Sequence, residues 1–119
     1  MSLLPEAEVL RAGDLEVRPA DRIAVANGEI LRLSVRELQL LTWLVREEGR
    51  IISREELYRA VWRRRFRQDD RSVDVYVHKL RVKLEEALPE WRFIHTHFGF
   101  GYRFQPSRSQ LDNTPDTAS

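Results

Sequence analysis

Apolar residues recur every second position at the start of the chain and every third or fourth position further along. Residues 9–33 hold four short runs, Val9–Ala12, Leu15–Arg18, Arg22–Val25 and Glu29–Leu33. Gly13-Asp14, Pro19–Asp21 and Asn27-Gly28 separate them. Asn-Gly between apolar runs is a strong hairpin signal, because both residues tolerate positive φ. Leu15/Val17 and Ile23/Val25 alternate with polar neighbours as half-buried strands do. The pattern predicts a small antiparallel sheet of four strands.

The period then changes. Ser34 and Glu37 have capping-box spacing, in which each side chain accepts from the other residue's backbone N–H. Val35, Leu38, Leu41, Leu44 and Val45 follow at helical intervals, and Gly49 marks the stop. Ser53 and Glu56 repeat the box before a second helix with Leu57, Ala60 and Val61 on one side. Residues 63–70 carry no apolar period and are expected to form a loop. Asp70 or Asp69 is the expected N-cap of a third helix over 71–86. Its Val73, Val77, Leu80 and Leu84 lie at i, i+4, i+7 and i+11, a narrow core-facing stripe. Pro89 follows its end. Trp91–Phe98 is strand-like, Gly99-Phe100-Gly101 is a turn, and Tyr102–Phe104 is the return strand. This divides the chain into a folded domain over 9–104, a polar tail over 105–119 expected to be disordered, and residues 1–8 as a linker or the remnant of a longer chain. The fold class is α+β: sheet, three helices, hairpin.

The chain has 119 residues, room for one core. No apolar run approaches the ~20 residues needed to cross a bilayer. Met1–Glu8 lacks the pattern of a signal peptide, and cysteine is absent, which removes disulfides and thiolate metal sites. The net charge of +1 points to no partner, but its distribution does. Between Arg63 and Lys83 stand eight basic residues (Arg63, Arg64, Arg65, Arg67, Arg71, Lys79, Arg81, Lys83) and three acidic ones (Asp69, Asp70, Asp74), a balance of +5 that leaves −4 for the rest. A polyanion is drawn to that segment. A merely solvated basic face accounts for charge alone equally well.

With the aliphatic stripe buried, Arg71, Ser72, Val75, Tyr76, His78, Lys79 and Val82 project outward or to the edges of the third helix. Free N–H groups at its start, with Ser72 and Arg71, suit phosphate. Lys79 suits guanine O6 or N7, His78 a phosphate or base edge, and Val75 a thymine methyl.

Four blocks in order carry a resemblance: Leu33-Ser-Val-Arg-Glu-Leu-Gln-Leu-Leu; Gly49-Arg-Ile-Ile-Ser-Arg-Glu-Glu-Leu with Val61-Trp62; Arg71-Ser-Val-Asp-Val-Tyr-Val-His-Lys-Leu-Arg-Val-Lys-Leu; and Gly99-Phe-Gly-Tyr-Arg-Phe. Over residues 9–104 the chain resembles the OmpR/PhoB family of response-regulator effector domains. The resemblance implies a winged helix-turn-helix with an amino-terminal four-stranded sheet, binding direct-repeat duplex DNA as a tandem dimer to control transcription. It implies phosphate contacts by Arg71 and Ser72, base reading by Val75 and Lys79, and backbone contacts by His78 and Arg81, with Tyr76 and Lys83 on the same helix. The loop 63–70 (Arg63, Arg64, Arg65, Arg67) matches a segment that in some members touches RNA polymerase, and its arginines suit DNA phosphate equally. The sequence departs from the family in two places. Phe98, preceded by His97, stands where many members carry a minor-groove arginine, leaving His97 or Arg103 as substitutes. Position 79 is lysine where arginine is frequent, so the rigid bidentate fork is lost. No acidic cluster of a receiver domain is present, so the chain is either an excised effector or a stand-alone regulator.

Other classes fare worse. His95 and His97 share one strand face but lack a third ligand, so no metal or cofactor is expected. No nucleophilic triad or glycine-rich phosphate loop is recognisable, and an enzyme is not expected. A winged helix serving as a protein-interaction module, for example docking RNA polymerase with weak non-specific DNA affinity, is the alternative; such a surface carries apolar anchors, whereas this face is cationic around a single valine. The expected location is the bacterial cytoplasm, at the nucleoid, with no membrane partner.

Overall fold

The structure, a computed structural model, describes residues 8–108; of the linker expected over 1–8 and the tail expected over 105–119, residues 1–7 and 109–119 lie outside them. Strands β1 (Leu10–Ala12), β2 (Leu15–Arg18), β3 (Ile23–Ala26) and β4 (Glu29–Ile30) form one antiparallel sheet in sequence order. Helices α1 (Val35–Arg46), α2 (Arg54–Trp62) and α3 (Ser72–Ala87) follow, with a two-residue strand β5 (Ile51–Ile52) between the first two. The chain closes with β6 (Trp91–His97) and β7 (Gly101–Arg108), and the second sheet has the order β5-β7-β6.

The Asn27-Gly28 turn forms as expected, with φ of 52° and 80° on its two residues. The buried face of β3 differs from the pattern reading. Ala24 and Ala26 are buried, while Ile23 and Val25 are only half-buried. The register explains this: Ala24 pairs with Val17 and Ala26 with Leu15. Directly paired residues share a face, so the alanines follow the leucine and valine inward. Ile23 and Val25 are left on the outer face, where Val25 pairs with Ile30.

At the start of α1 the reciprocal box is complete: Ser34 Oγ accepts from the Glu37 N–H (3.1 Å) and Glu37 accepts from the Ser34 N–H (2.8 Å). Val35 faces solvent, while Leu40 joins Leu41, Leu44 and Val45 in the core. At the start of α2 only half the box forms. Ser53 Oγ accepts from the Glu56 N–H (3.0 Å), but the Glu56 carboxylate turns to the Arg50 guanidinium (2.6 and 3.2 Å). An ionised donor outcompetes a neutral N–H.

One core serves the whole domain. Leu15 and Val17 of the first sheet, Leu40 and Leu44 of α1, Leu57 of α2, Leu80 of α3 and Phe104 of β7 are all buried in one cluster. Trp91 ties the first sheet to the second, donating its indole N–H to Asp14 (2.8 Å). A Cβ on Gly13 would meet that ring at 2.8 Å.

Two sequence features of the carboxyl-terminal hairpin escape the reading. Strand β7 runs on to Arg108, so residues 105–108, expected as tail, pair with β6 at Arg92↔Ser107 and Trp91↔Arg108. Strand β5 pairs with β7 at Ile51↔Arg103 and Ile52↔Tyr102. Gly101 permits that pairing: its φ is +141°, and a Cβ there would lie 2.0 Å from the Ile52 carbonyl oxygen.

Candidate nucleic-acid interface

Val73, Val77, Leu80 and Leu84 are all buried, which fixes the rotation of α3 and leaves Val75, His78, Lys79 and Val82 on the opposite, exposed side. Val75 is 46% exposed. Lys79 holds its ammonium 4.8 Å from the centroid of the Tyr76 ring and makes no ion pair among the described residues. Arg71, just before the helix, has a largely exposed side chain and only a long contact with Asp74 (3.9 Å).

Four residues expected on this face are occupied elsewhere. Arg81 donates to the Ile94 carbonyl (3.0 and 3.2 Å) and to Thr96 Oγ1, with its guanidinium over the Tyr102 ring. Lys83 reaches the opposite flank, where its ammonium bonds the buried Glu37 carboxylate (2.7 Å) and the Arg32 carbonyl (3.0 Å). Burial pushes the Glu37 carboxyl up, but the bonds from Lys83 and Ser34 outweigh it and hold it below the ordinary carboxylate range. Tyr76 packs edge-on against Trp62 (centroids 5.5 Å) and is half-buried. Ser72 does not offer a free backbone N–H, because Asp70 Oδ1 accepts it at 2.8 Å. Asp70 thus acts as the expected cap, although the helix boundary places Arg71 at the cap position. The bond to Ser72 holds the Asp70 carboxyl below its ordinary range.

The loop 63–70 is pinned at intervals. Arg63 takes a left-handed conformation (φ 59°) that ends α2. Phe66 packs edge-on against Tyr58 (5.5 Å), which stacks on Trp62 (5.2 Å). Arg36 lies over Trp62 (4.9 Å) and donates to the Val61 carbonyl (2.7 Å). Between these anchors Arg63, Arg64, Arg65 and Arg67 are exposed and unpaired among the described residues. Tyr58, Trp62 and Phe66 were legible as an aromatic series at near-helical spacing, but nothing in that spacing says that they brace a loop.

The hairpin β6–β7 stands beside the start of α3. Tyr102 OH donates to Asp74 (2.6 Å), and Arg54 completes the group at 3.1 Å from Asp74. Burial, reinforced by the neighbouring Asp74 carboxylate, pushes the Tyr102 phenol up to about 12. At the tip, Phe98 and Phe100 are 87% and 74% exposed. His97 and Arg103 are half-buried, and His97 Nε2 and Arg103 Nε lack hydrogen-bond partners. His95 is committed inside the hairpin through Nε2 and the Gln105 carbonyl (2.9 Å), and burial lowers its pKa. Phe100 was missed in the sequence. Its signal, an aromatic on each side of Gly99, lay in plain sight.

A three-helix bundle between a four-stranded sheet and a hairpin, with a cationic helix face beside that hairpin, is the arrangement of a winged helix-turn-helix of the OmpR/PhoB type. A family model described as "Transcriptional regulatory protein, C terminal" matches residues 28–104, and the chain belongs to this family. Among relatives, the transcriptional activator protein IrlR of Burkholderia pseudomallei is 38% identical over 97 residues, 82% of this chain and 42% of that protein. The transcriptional regulatory protein AfsQ1 of Streptomyces coelicolor is 38% identical over 94 residues, 79% of this chain and 42% of that protein. The chain therefore spans less than half the length of these relatives. The DNA-binding domain of CpxR from E. coli superposes with a TM-score of 0.76 at 28% identity, covering 83% of this chain and 97% of that one. The RstA DNA-binding domain of Klebsiella pneumoniae, solved in complex with the RstA box, gives 0.75 at 31% identity, covering 82% and 97%.

Proposed function

We propose that this domain regulates transcription by binding double-stranded DNA sequence-specifically, with α3 in the major groove. The observation that carries the reading is the division of one helix: four aliphatic residues held in the core, and Val75, His78 and Lys79 exposed on the far side. Lys79 donates to guanine O6 or N7, Val75 packs on a thymine methyl, and His78 contacts a base edge or phosphate. Arg71 binds phosphate. The bonds of Arg81, Lys83, Tyr76 and the Ser72 N–H favour positioning roles for those residues.

The unpaired arginines of loop 63–70 favour an anionic neighbour. Two copies occupy direct repeats as a tandem dimer, in the bacterial cytoplasm at the nucleoid. The loop meets either flanking phosphate or an acidic face of RNA polymerase, and crosslinking from position 65 in a promoter complex separates the two. No helix among the described residues is long and apolar enough to cross a membrane.

Selection of bound fragments from random duplex DNA at two salt concentrations tests the proposal. The expected result is an enriched motif, repeated at one helical-turn spacing, whose affinity falls as salt rises. Recovery of unenriched sequence at both concentrations overturns it.

A further inference from the structure

We propose that the tip of the β6–β7 hairpin is an aromatic wedge for duplex DNA: Phe98, flanked by Phe100, enters the minor groove beside the major groove that α3 occupies and partly unstacks one base step. The proposal rests on the reading of α3 as the groove helix. Exposure supplies the first argument. Phe98 is the most exposed large hydrophobic side chain among the described residues at 87%, Phe100 at 74% is matched only by Val35 at 75%, and neither ring stacks on another aromatic among the described residues. Two exposed phenyl groups on either side of one glycine lie outside the buried core and mark a contact surface.

Shape supplies the second. The Phe100 N–H donates to the His97 carbonyl (2.8 Å), and Gly99 takes φ +84°, so Phe98 occupies the corner of a tight turn and points away from the sheet. The strands next to this turn are held by β5, which pairs at Tyr102 and Arg103 beside Gly101, by the Tyr102–Asp74 bond and by the Arg81 bonds to Ile94 and Thr96. The tip is therefore a rigid projection whose orientation relative to α3 is set.

Position supplies the third. Phe98 and Phe100 border the same depression as Arg71, Arg54 and Gln68, at the amino end of α3. A duplex seated on α3 passes across that depression. Phenylalanine cannot neutralise a phosphate, but it can replace base–base stacking where a step opens, and apolar wedges of this kind kink duplexes from the minor-groove side. Pyrimidine–purine steps open most easily, so the wedge adds a sequence preference at positions that make no hydrogen bond to the protein.

The test uses the full chain and a duplex selected by it, with 2-aminopurine placed in turn at each step flanking the α3 footprint. Phe98→Ala, Phe98→Leu and Lys79→Ala are compared with the parent, and free protein is sedimented at the same concentrations. The parent and Phe98→Leu are expected to raise fluorescence at one step. Phe98→Ala should lose that signal and bind roughly 10-fold more weakly, the scale of one lost stacking contact. A saturated parent complex without the signal, or a Phe98→Ala variant of unchanged affinity, overturns the wedge. Self-association of free protein that disappears in Phe98→Ala assigns the tip to a second copy and also overturns it. Lys79-dependent discrimination with no dependence on Phe98 removes only the wedge, whereas a parent that binds no duplex removes the α3 reading as well.

Discussion

Lys79, Arg81 and Lys83 are alternate cations on one helix, yet only the first is free. Arg81 lies four residues after Val77, and Lys83 three after Leu80, so both flank the buried stripe and are captured by partners beneath it. Lys79, His78, Val75 and Val82 stand farther round. The distinction was legible from spacing. What spacing could not supply was the identity of the captors, a carbonyl on β6 and a carboxylate on α1. Lys79→Ala is expected to lose about 1–3 kcal/mol on a selected site and much less on random duplex; equal losses in a titration of both would remove it from the base readers. Arg71→Ala should weaken binding to all sequences alike and lower the salt slope by about one. Leu80→Ala, truncating a fully buried side chain, should cost about 2–5 kcal/mol in denaturant unfolding. Parental stability would show that the helix phase is wrong.

At the scale of elements, the helices and most turns follow from caps and periodicity, because those signals are local. The Ser34–Glu37 box, the stripe on α3 and the Asn27-Gly28 turn needed no distant partner to be read. The misreadings depend on such partners. Strand β3 buries its alanines because its register with β2 carries them inward, a fact that Ile23 and Val25 cannot report. Strand β5 is two residues of a helix connector until β7 lies beside it. Gln105–Arg108 looks like tail until β6 supplies hydrogen bonds. Gly101→Ala tests the second of these. A methyl group would collide with the Ile52 carbonyl, and the φ of +141° is unsuited to alanine. The variant should be destabilised by at least about 1 kcal/mol and lose duplex affinity together with hairpin order. Parental unfolding behaviour would show that the β5–β7 contact yields without cost.

Over the whole molecule, the first sheet, the helical bundle and the hairpin share one core, so the domain should unfold as a unit. Its alkaline limit is set in part by Tyr102. The phenol ionises near pH 10 when unfolded and near 12 when folded. The unfolded chain therefore releases its proton first as pH rises. Stability from this group is full below about pH 10 and is lost between there and about 12. Tyr102→Phe should flatten that limb of a stability–pH curve and lower stability at neutral pH by about 0.5–1.5 kcal/mol through the lost bond to Asp74. An unchanged alkaline limb in melts across that range would remove Tyr102 from the account. Charge is also redistributed at this scale. Of the cations between positions 63 and 83, two are consumed internally, so the salt dependence of binding should reflect the loop arginines, Arg71 and Lys79 rather than the full set.

The close approach of Gly101 to Ile52 bears on protein engineering. Exchanging hairpins between related regulators is an obvious route to new target preferences, and the natural cut points flank the last two strands. Here that cut would leave a donor hairpin facing an acceptor carbonyl with which it never shared a sequence. A chimera built from this chain should carry residues 51–52 with the transplanted hairpin, or the graft will arrive with its seat missing.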